Sequence, residues 1–335
     1  MYVCKHISLH LLISKECHFI EGSRNPVHRD LHAYTFLLTL PPMKTLMPKN
    51  PLVRMLVKIA RMLLLVYIGF MLLLAFRQRS FVYYPERAPL DDLTTFARNQ
   101  GLTSWHNAKE EYIGWRPAES IPEGADLFIV FHGNAGFALH RTYIIDGLQR
   151  PLNEPAFYVF LFEYPGYGPR AGRPSEEALT TAAAAAFEQL RKSYPGSRIF
   201  LAGESLGSGV AAWLAGEYPT KVSGLFLLTA FNRLADVAQH HYPIMPVNLL
   251  LRERYESSRA LENYRGPIAI LLAGNDNVVP PQFGKKLYEA YQGPKRLWVQ
   301  DNRNHNTLDY GTNQPWWQEV KAFLMQHAPP KPVLL

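Results

Sequence analysis

Cysteine is nearly missing from this chain: there are two in 335 residues, Cys4 and Cys17, and none follows them. So few exclude a disulfide scaffold and any cysteine-built zinc or iron–sulfur site. Charge is sparse as well, at 19% against 47% hydrophobic residues, which excludes a wholly disordered protein. Acidic residues are scarcest at the start. Residues 1–79 hold 11 Lys/Arg against 3 Asp/Glu, and the remainder holds 24 against 25. The net charge of +7 is thus a basic N-terminal segment in front of a neutral body, which points to a membrane surface. No aromatic-plus-basic motif accompanies the charge, so no nucleic acid is expected as a partner.

One apolar run is long. Residues 62–76, MLLLVYIGFMLLLAF, carry no charge, and extending the run back to Met55 adds only Lys58 and Arg61, which can snorkel to an interface. Arg77 and Arg79 close the other end. A cleaved signal peptide would end in small residues, and Ala75-Phe76-Arg77 is a poor cleavage sequence. A buried core helix would need a partner for every face. The expectation is one uncleaved transmembrane helix over about 55–76, within a basic flank and anchor at 43–79. Ahead of it, residues 1–42 hold five of the twelve histidines with no sustained periodicity and no common ligand spacing. They read as a poorly ordered leader, or as sequence ahead of the start, since Met43 and Met47 each open a chain that keeps a basic stretch before the anchor.

From Asp126 onward, continuous apolar runs alternate with helix-length segments. The strands expected are 127–131, 157–162, 199–202, 224–228, 268–273 and 297–300. Unbroken apolar character marks strands covered on both faces, so the pattern predicts an α/β fold with a mostly parallel, doubly wound sheet. Residues 231–264 are too long for a plain connection, are broken by Pro243 and Pro246, and read as a small helical cap. Its apolar positions Ile244, Met245, Val247, Leu249, Leu250 and Leu251 suit an acyl chain. Residues 329–335 read as a tail.

Gly203-Glu204-Ser205-Leu206-Gly207 is a G-x-S-x-G sequence between a strand and a small-residue helix. A sharp turn there lifts a serine hydroxyl above the sheet, and side chains two before or two after the serine would clash. A serine needs a base to take its proton and an acid to orient that base. Past two later strands the chain supplies Asp276, in GNDNVVP, and His305, in NHN. Competing residues are His240 and His241 in the cap, His327 in the last helix, and Asp301 and Asp309 near His305. Backbone N–H groups for an oxyanion are expected from Leu206 and from the loop His132-Gly133-Asn134-Ala135-Gly136, which matches no phosphate-binding glycine pattern. His132 is expected to be structural, the base role being filled by His305.

Together, HGNAG at 132–136, EYPGYG at 163–168, GESLG, GNDNVVP, the His305 loop and FVYYP at 81–85 resemble the α/β-hydrolase superfamily, in its serine-aminopeptidase-like branch of membrane-anchored α/β-hydrolase-domain proteins. The resemblance covers about residues 80–328. It implies the α/β-hydrolase fold, Ser205, Asp276 and His305 as a triad, Asn134 and Leu206 as oxyanion donors, and no cofactor or metal. Glu163 and Pro165 depart from the aspartate and arginine usual in the family's D-Y-R-G-Y-G element, which is structural. The expected activity is cleavage of an acyl ester or thioester from a small or lipid-like acyl substrate. A serine peptidase or acyltransferase using the same triad, or a catalytically idle binding protein of this fold, are the alternatives.

Overall fold

A computed structural model of the chain describes residues 49–149 and 157–332. The leader expected over 1–42, the starts at Met43 and Met47, and tail residues 333–335 lie outside the described residues. The chain divides into two units between Val66 and Tyr67. The described part of the first is the beginning of helix α1, Pro51–Arg77, which is longer at both ends than the span expected from the sequence. Pro51 at its start suits a helix entry, where the missing N–H is not needed. Among the described residues this is the one helix long and apolar enough to cross a membrane.

The second unit is built on eight strands: β1 (Leu102–His106), β2 (Tyr112–Pro117), β3 (Asp126–Phe131), β4 (Phe157–Phe162), β5 (Ile199–Glu204), β6 (Val222–Leu228), β7 (Ile268–Ala273) and β8 (Lys295–Gln300). Their order across the sheet is β1-β2-β4-β3-β5-β6-β7-β8. β1, β2 and β4 pair antiparallel, and every pair from β4 to β8 is parallel. The six runs expected from the sequence are the six parallel strands, with edges shifted by up to two residues. β1 and β2 were not expected, because LTSWH and YIGWRP mix polar with apolar residues and hold no unbroken apolar run.

Helices cover both faces. α2 (Leu90–Asn99), α3 (Thr142–Gln149) and α8 (Pro315–His327) lie on one side, with Phe128, Phe200, Phe226 and Trp317 in the core beneath them. α4 (Glu176–Ser193) and α5 (Leu206–Glu217) lie on the other, over Ile129, Phe160, Leu201 and Leu227. α4 starts where the sequence signals it. The Ser175 hydroxyl accepts the Ala178 N–H at 3.1 Å, and Glu176 and Glu177 sit at the positive end of the helix. Residues 231–264 form α6 (Leu234–His241) and single turns at Val247–Leu250, Ser257–Ala260 and Leu261–Asn263. α7 (Pro281–Ala290) then leads from β7 to β8.

Candidate active site

The turn from β5 into α5 carries Ser205 at φ +51° and ψ −116°. A serine pays roughly 1–3 kcal/mol for such a conformation, so its surroundings must impose it. They do so by close approach. A Cβ on Gly203 would stand 2.4 Å from the Gly207 carbonyl oxygen, and one on Gly207 would stand 2.1 Å from the Phe131 carbonyl oxygen. With β5 pressed onto α5 and α5 onto β3, the serine has to occupy the apex. Its N–H donates to the Leu228 carbonyl at 2.8 Å, and its carbonyl accepts the Ser208 hydroxyl at 2.6 Å.

Asp276 follows β7 and His305 follows β8, so adjacent parallel strands deliver both to the sheet edge that carries the elbow. His305 Nδ1 lies 2.7 Å from Asp276 Oδ2. The other carboxylate oxygen, Oδ1, accepts the N–H groups of Val278 and Val279 at 2.8 Å each. A carboxylate oxygen only accepts, so Nδ1 carries a proton, and in the neutral imidazole Nε2 is the nitrogen with the lone pair. Among the described residues, no hydrogen bond joins the Ser205 hydroxyl to the imidazole. Such a bond commonly tightens only when substrate is bound. Of the other histidines weighed from the sequence, His240 packs edge-on against Phe283, His241 meets the Val278 carbonyl at 2.8 Å, and His327 meets that of Phe323 at 2.9 Å.

The loop after β3 is pinned by its polar groups. The Asn134 carbonyl accepts the Tyr84 N–H at 2.9 Å and the Tyr167 hydroxyl at 2.7 Å, while its side-chain amide donates to the Val82 carbonyl at 3.0 Å. The N–H groups of Asn134 and Leu206 donate to no acceptor among the described residues, and both residues line the same cavity as Ser205. His132 is buried. Its Nδ1 meets the Gly133 carbonyl at 2.8 Å and its Nε2 meets Glu163 at 3.1 Å. Glu163 also accepts the Ala138 N–H, so the residue standing where the family pattern has aspartate braces the loop from beneath.

One pair escaped the sequence reading. Glu204, next to the serine, accepts from Arg141 Nε at 2.7 Å, from Arg141 Nη2 at 3.2 Å and from the Tyr143 hydroxyl at 2.8 Å. Burial alone would raise the Glu204 carboxyl; the Arg141 charge and these hydrogen bonds outweigh it and hold the group below the ordinary range. A partner 63 residues away leaves no signal in the local sequence. Arg141→Met is expected to cost about 3–5 kcal/mol at neutral pH by leaving a buried carboxylate unpaired. A carboxyl with a depressed folded value stabilises above its unfolded value and loses that contribution as pH falls through the folded one. The gap between variant and wild type should therefore narrow in acid. Urea unfolding of both proteins across pH checks this.

A cavity of about 350 Å³ opens over Ser205. Of the six apolar cap positions expected to face an acyl chain, Met245, Val247, Leu250 and Leu251 line it, whereas Ile244 and Leu249 are turned out, at 83% and 80% exposed. Among the described residues, no three His, Cys, Asp or Glu side chains converge as metal ligands.

The family model described as "alpha/beta hydrolase fold" matches residues 126–252. An uncharacterized protein of Mycobacterium tuberculosis is 29% identical over 267 residues, covering 79% of this chain and 93% of its own. The lysophosphatidylserine lipase ABHD12 of Danio rerio is 27% identical over 215 residues, covering 58% of this chain and 54% of its own length. Among solved structures, the esterase Pf2001 of Pyrococcus furiosus superposes with a TM-score of 0.54 at 17% identity, over 73% of this chain and all of that one. Est1E of Butyrivibrio proteoclasticus, solved with ferulic acid bound, gives a TM-score of 0.51 at 19% identity, over 62% of this chain and 90% of that one. At these identities the structural likeness is one of fold.

Proposed function

Because the chain belongs to the α/β-hydrolase superfamily, we propose that it is a membrane-anchored serine hydrolase that cleaves an acyl ester or thioester at Ser205. The observation that carries the reading is the 2.7 Å hydrogen bond between His305 and Asp276, on the strand ends beside the strained serine. Ser205 Oγ attacks the acyl carbonyl carbon and His305 Nε2 takes its proton. The carbonyl oxygen becomes an oxyanion facing the N–H groups of Asn134 and Leu206. Collapse expels the alcohol or thiol, which leaves with the proton from His305. Water then attacks the acyl-enzyme with the same imidazole as base, and the free acid departs.

The apolar cavity favours a lipid-like acyl chain over a peptide, and the name of the ABHD12 relative points the same way. In this reading 80–328 is the hydrolase domain, 231–264 its cap, and the helix at Pro51–Arg77 its anchor. A panel of p-nitrophenyl esters of increasing chain length, run beside acyl-thioesters and aminoacyl amides, tests the substrate class. Ester or thioester turnover that improves with chain length is expected. Turnover of amides alone would replace the reading with a peptidase, and turnover of nothing would favour a binding protein.

The flank from Met43 up to the uncharged run carries Lys44, Lys49, Arg54, Lys58 and Arg61, against Arg77, Arg79 and Arg87 after it. Five against three keeps the N-terminal flank in the cytoplasm and sends the hydrolase domain outside it. A reporter fused after Leu335 in a bacterial host checks this: alkaline phosphatase should be active and a cytoplasm-dependent fluorescent protein dark. The opposite pair of results places the domain in the cytoplasm.

A further inference from the structure

The cavity over Ser205 has one wall that the hydrolase body does not supply. Phe70 and Leu74, from the last two turns of α1, and Phe81, just beyond it, line the cavity together with cap residues Val237, Met245 and Leu251. Phe70 and Leu74 are four residues apart and so share one face of the helix. Leu73, on another face, is absent from the cavity lining.

Polar contacts fix this face against the cap. The Tyr67 hydroxyl donates to the Ile244 carbonyl at 2.9 Å. The Gln78 amide donates to the Leu250 carbonyl at 3.3 Å and accepts the Arg252 N–H at 2.6 Å. Arg79 Nε donates to the buried carboxylate of Glu253 at 2.8 Å, and that carboxylate also takes the Tyr83 hydroxyl at 2.5 Å. Tyr67 to Gln78 is about 16 Å of helix at 1.5 Å per residue, held in register with the cap at both ends. A helix serving only as a tether needs no such register. These contacts set how far Phe70 and Leu74 stand from the cap, and hence the width of the slot that leads to the serine.

We propose that the end of the anchor helix is the specificity wall of the acyl site, with Phe70 and Leu74 setting the length of the single acyl chain presented to Ser205. The proposal rests on the reading of Ser205 as nucleophile and adds to it where the chain goes. The chain lies in the slot between α1 and the cap, its carbonyl at Ser205 and its methylenes against Phe70, Leu74, Met245 and Leu251. Apolar contact is worth about 0.8 kcal/mol per buried methylene, close to fourfold in rate constant, so filling the slot should penalise long chains and spare short ones.

The test uses the full-length protein in detergent micelles, with second-order labelling rates for a methyl and a dodecyl fluorophosphonate. Wild type should label faster with the dodecyl reagent. Leu74→Trp, which displaces roughly three methylenes, should slow dodecyl labelling about fiftyfold and leave methyl labelling within twofold. Leu74→Ala should keep or raise the dodecyl preference. Leu73→Trp, one position away on the same helix, should match wild type with both reagents. Equal losses with both reagents in Leu74→Trp, or identical profiles for Leu73→Trp and Leu74→Trp, would overturn the specificity wall while leaving the nucleophile intact. No labelling of wild type by either reagent would overturn the serine reading itself, and the wall with it.

Discussion

Ser205→Ala is expected to lower kcat by roughly 10⁶, the scale on which a triad enzyme loses its nucleophile. What remains would come from binding and from the N–H groups of Asn134 and Leu206 in their proposed oxyanion role. The fold should be untouched, because the N–H to Leu228 and the carbonyl that takes the Ser208 hydroxyl both survive the change. Alanine keeps a Cβ and so keeps the strain of φ +51°. Ser205→Gly removes it, and should be equally inactive yet more stable by about 1–3 kcal/mol. Ester turnover and thermal melting of the three proteins check both halves. An inactive glycine variant that melts no higher would mean the elbow is not strained, and an alanine variant with a few per cent of activity would mean that Ser205 is not the nucleophile.

Asp276→Asn is the second large effect, a fall in kcat on the order of 10⁴ with little change in stability. The reason lies in what surrounds each oxygen. Oδ1 accepts two N–H groups, from Val278 and Val279, so the amide oxygen of asparagine must occupy that position. Its NH₂ then faces His305 Nδ1, at the 2.7 Å site where a proton acceptor is needed. The imidazole switches tautomer and presents N–H, not a lone pair, to the serine. Asp309, one of the two competing aspartates, is a loop brace: its N–H donates to Gln300 at 2.8 Å and its carboxylate takes the Gln314 amide at 2.7 Å. Asp309→Asn should retain most activity. Single-turnover acylation rates for both variants separate the two aspartates, and equal losses would take the role of acid away from Asp276.

The strand-borne parts of the candidate site were legible because each lies in the turn or loop after a strand whose apolar residues stand out in the sequence. Ser205, Asp276 and His305 follow β5, β7 and β8, and a parallel sheet brings the carboxyl ends of its strands to one edge. β1 and β2 were hidden for the converse reason. LTSWH and YIGWRP mix polar and apolar residues, and Gly114 breaks the run because a Cβ there would lie 2.2 Å from the Leu161 carbonyl oxygen. Pairs formed across long stretches of chain, Arg141 with Glu204 and Arg79 with Glu253, have no local signature at all. Phe70 and Leu74 were concealed differently. A lipid bilayer and an acyl chain select the same residue types, so an apolar run reads as an anchor whether or not one face also lines a cavity.

The most direct measurement is to label the full-length protein with a fluorophosphonate, digest it with trypsin and locate the adduct by fragment mass. Residues 199–221 form one tryptic peptide containing both Ser205 and Ser208. The Ser208 hydroxyl is buried and committed to the Ser205 carbonyl, so fragment ions must place the adduct on Ser205. Prior denaturation should abolish the labelling. An adduct on any other residue, or a folded protein that takes up no label, would contradict the account.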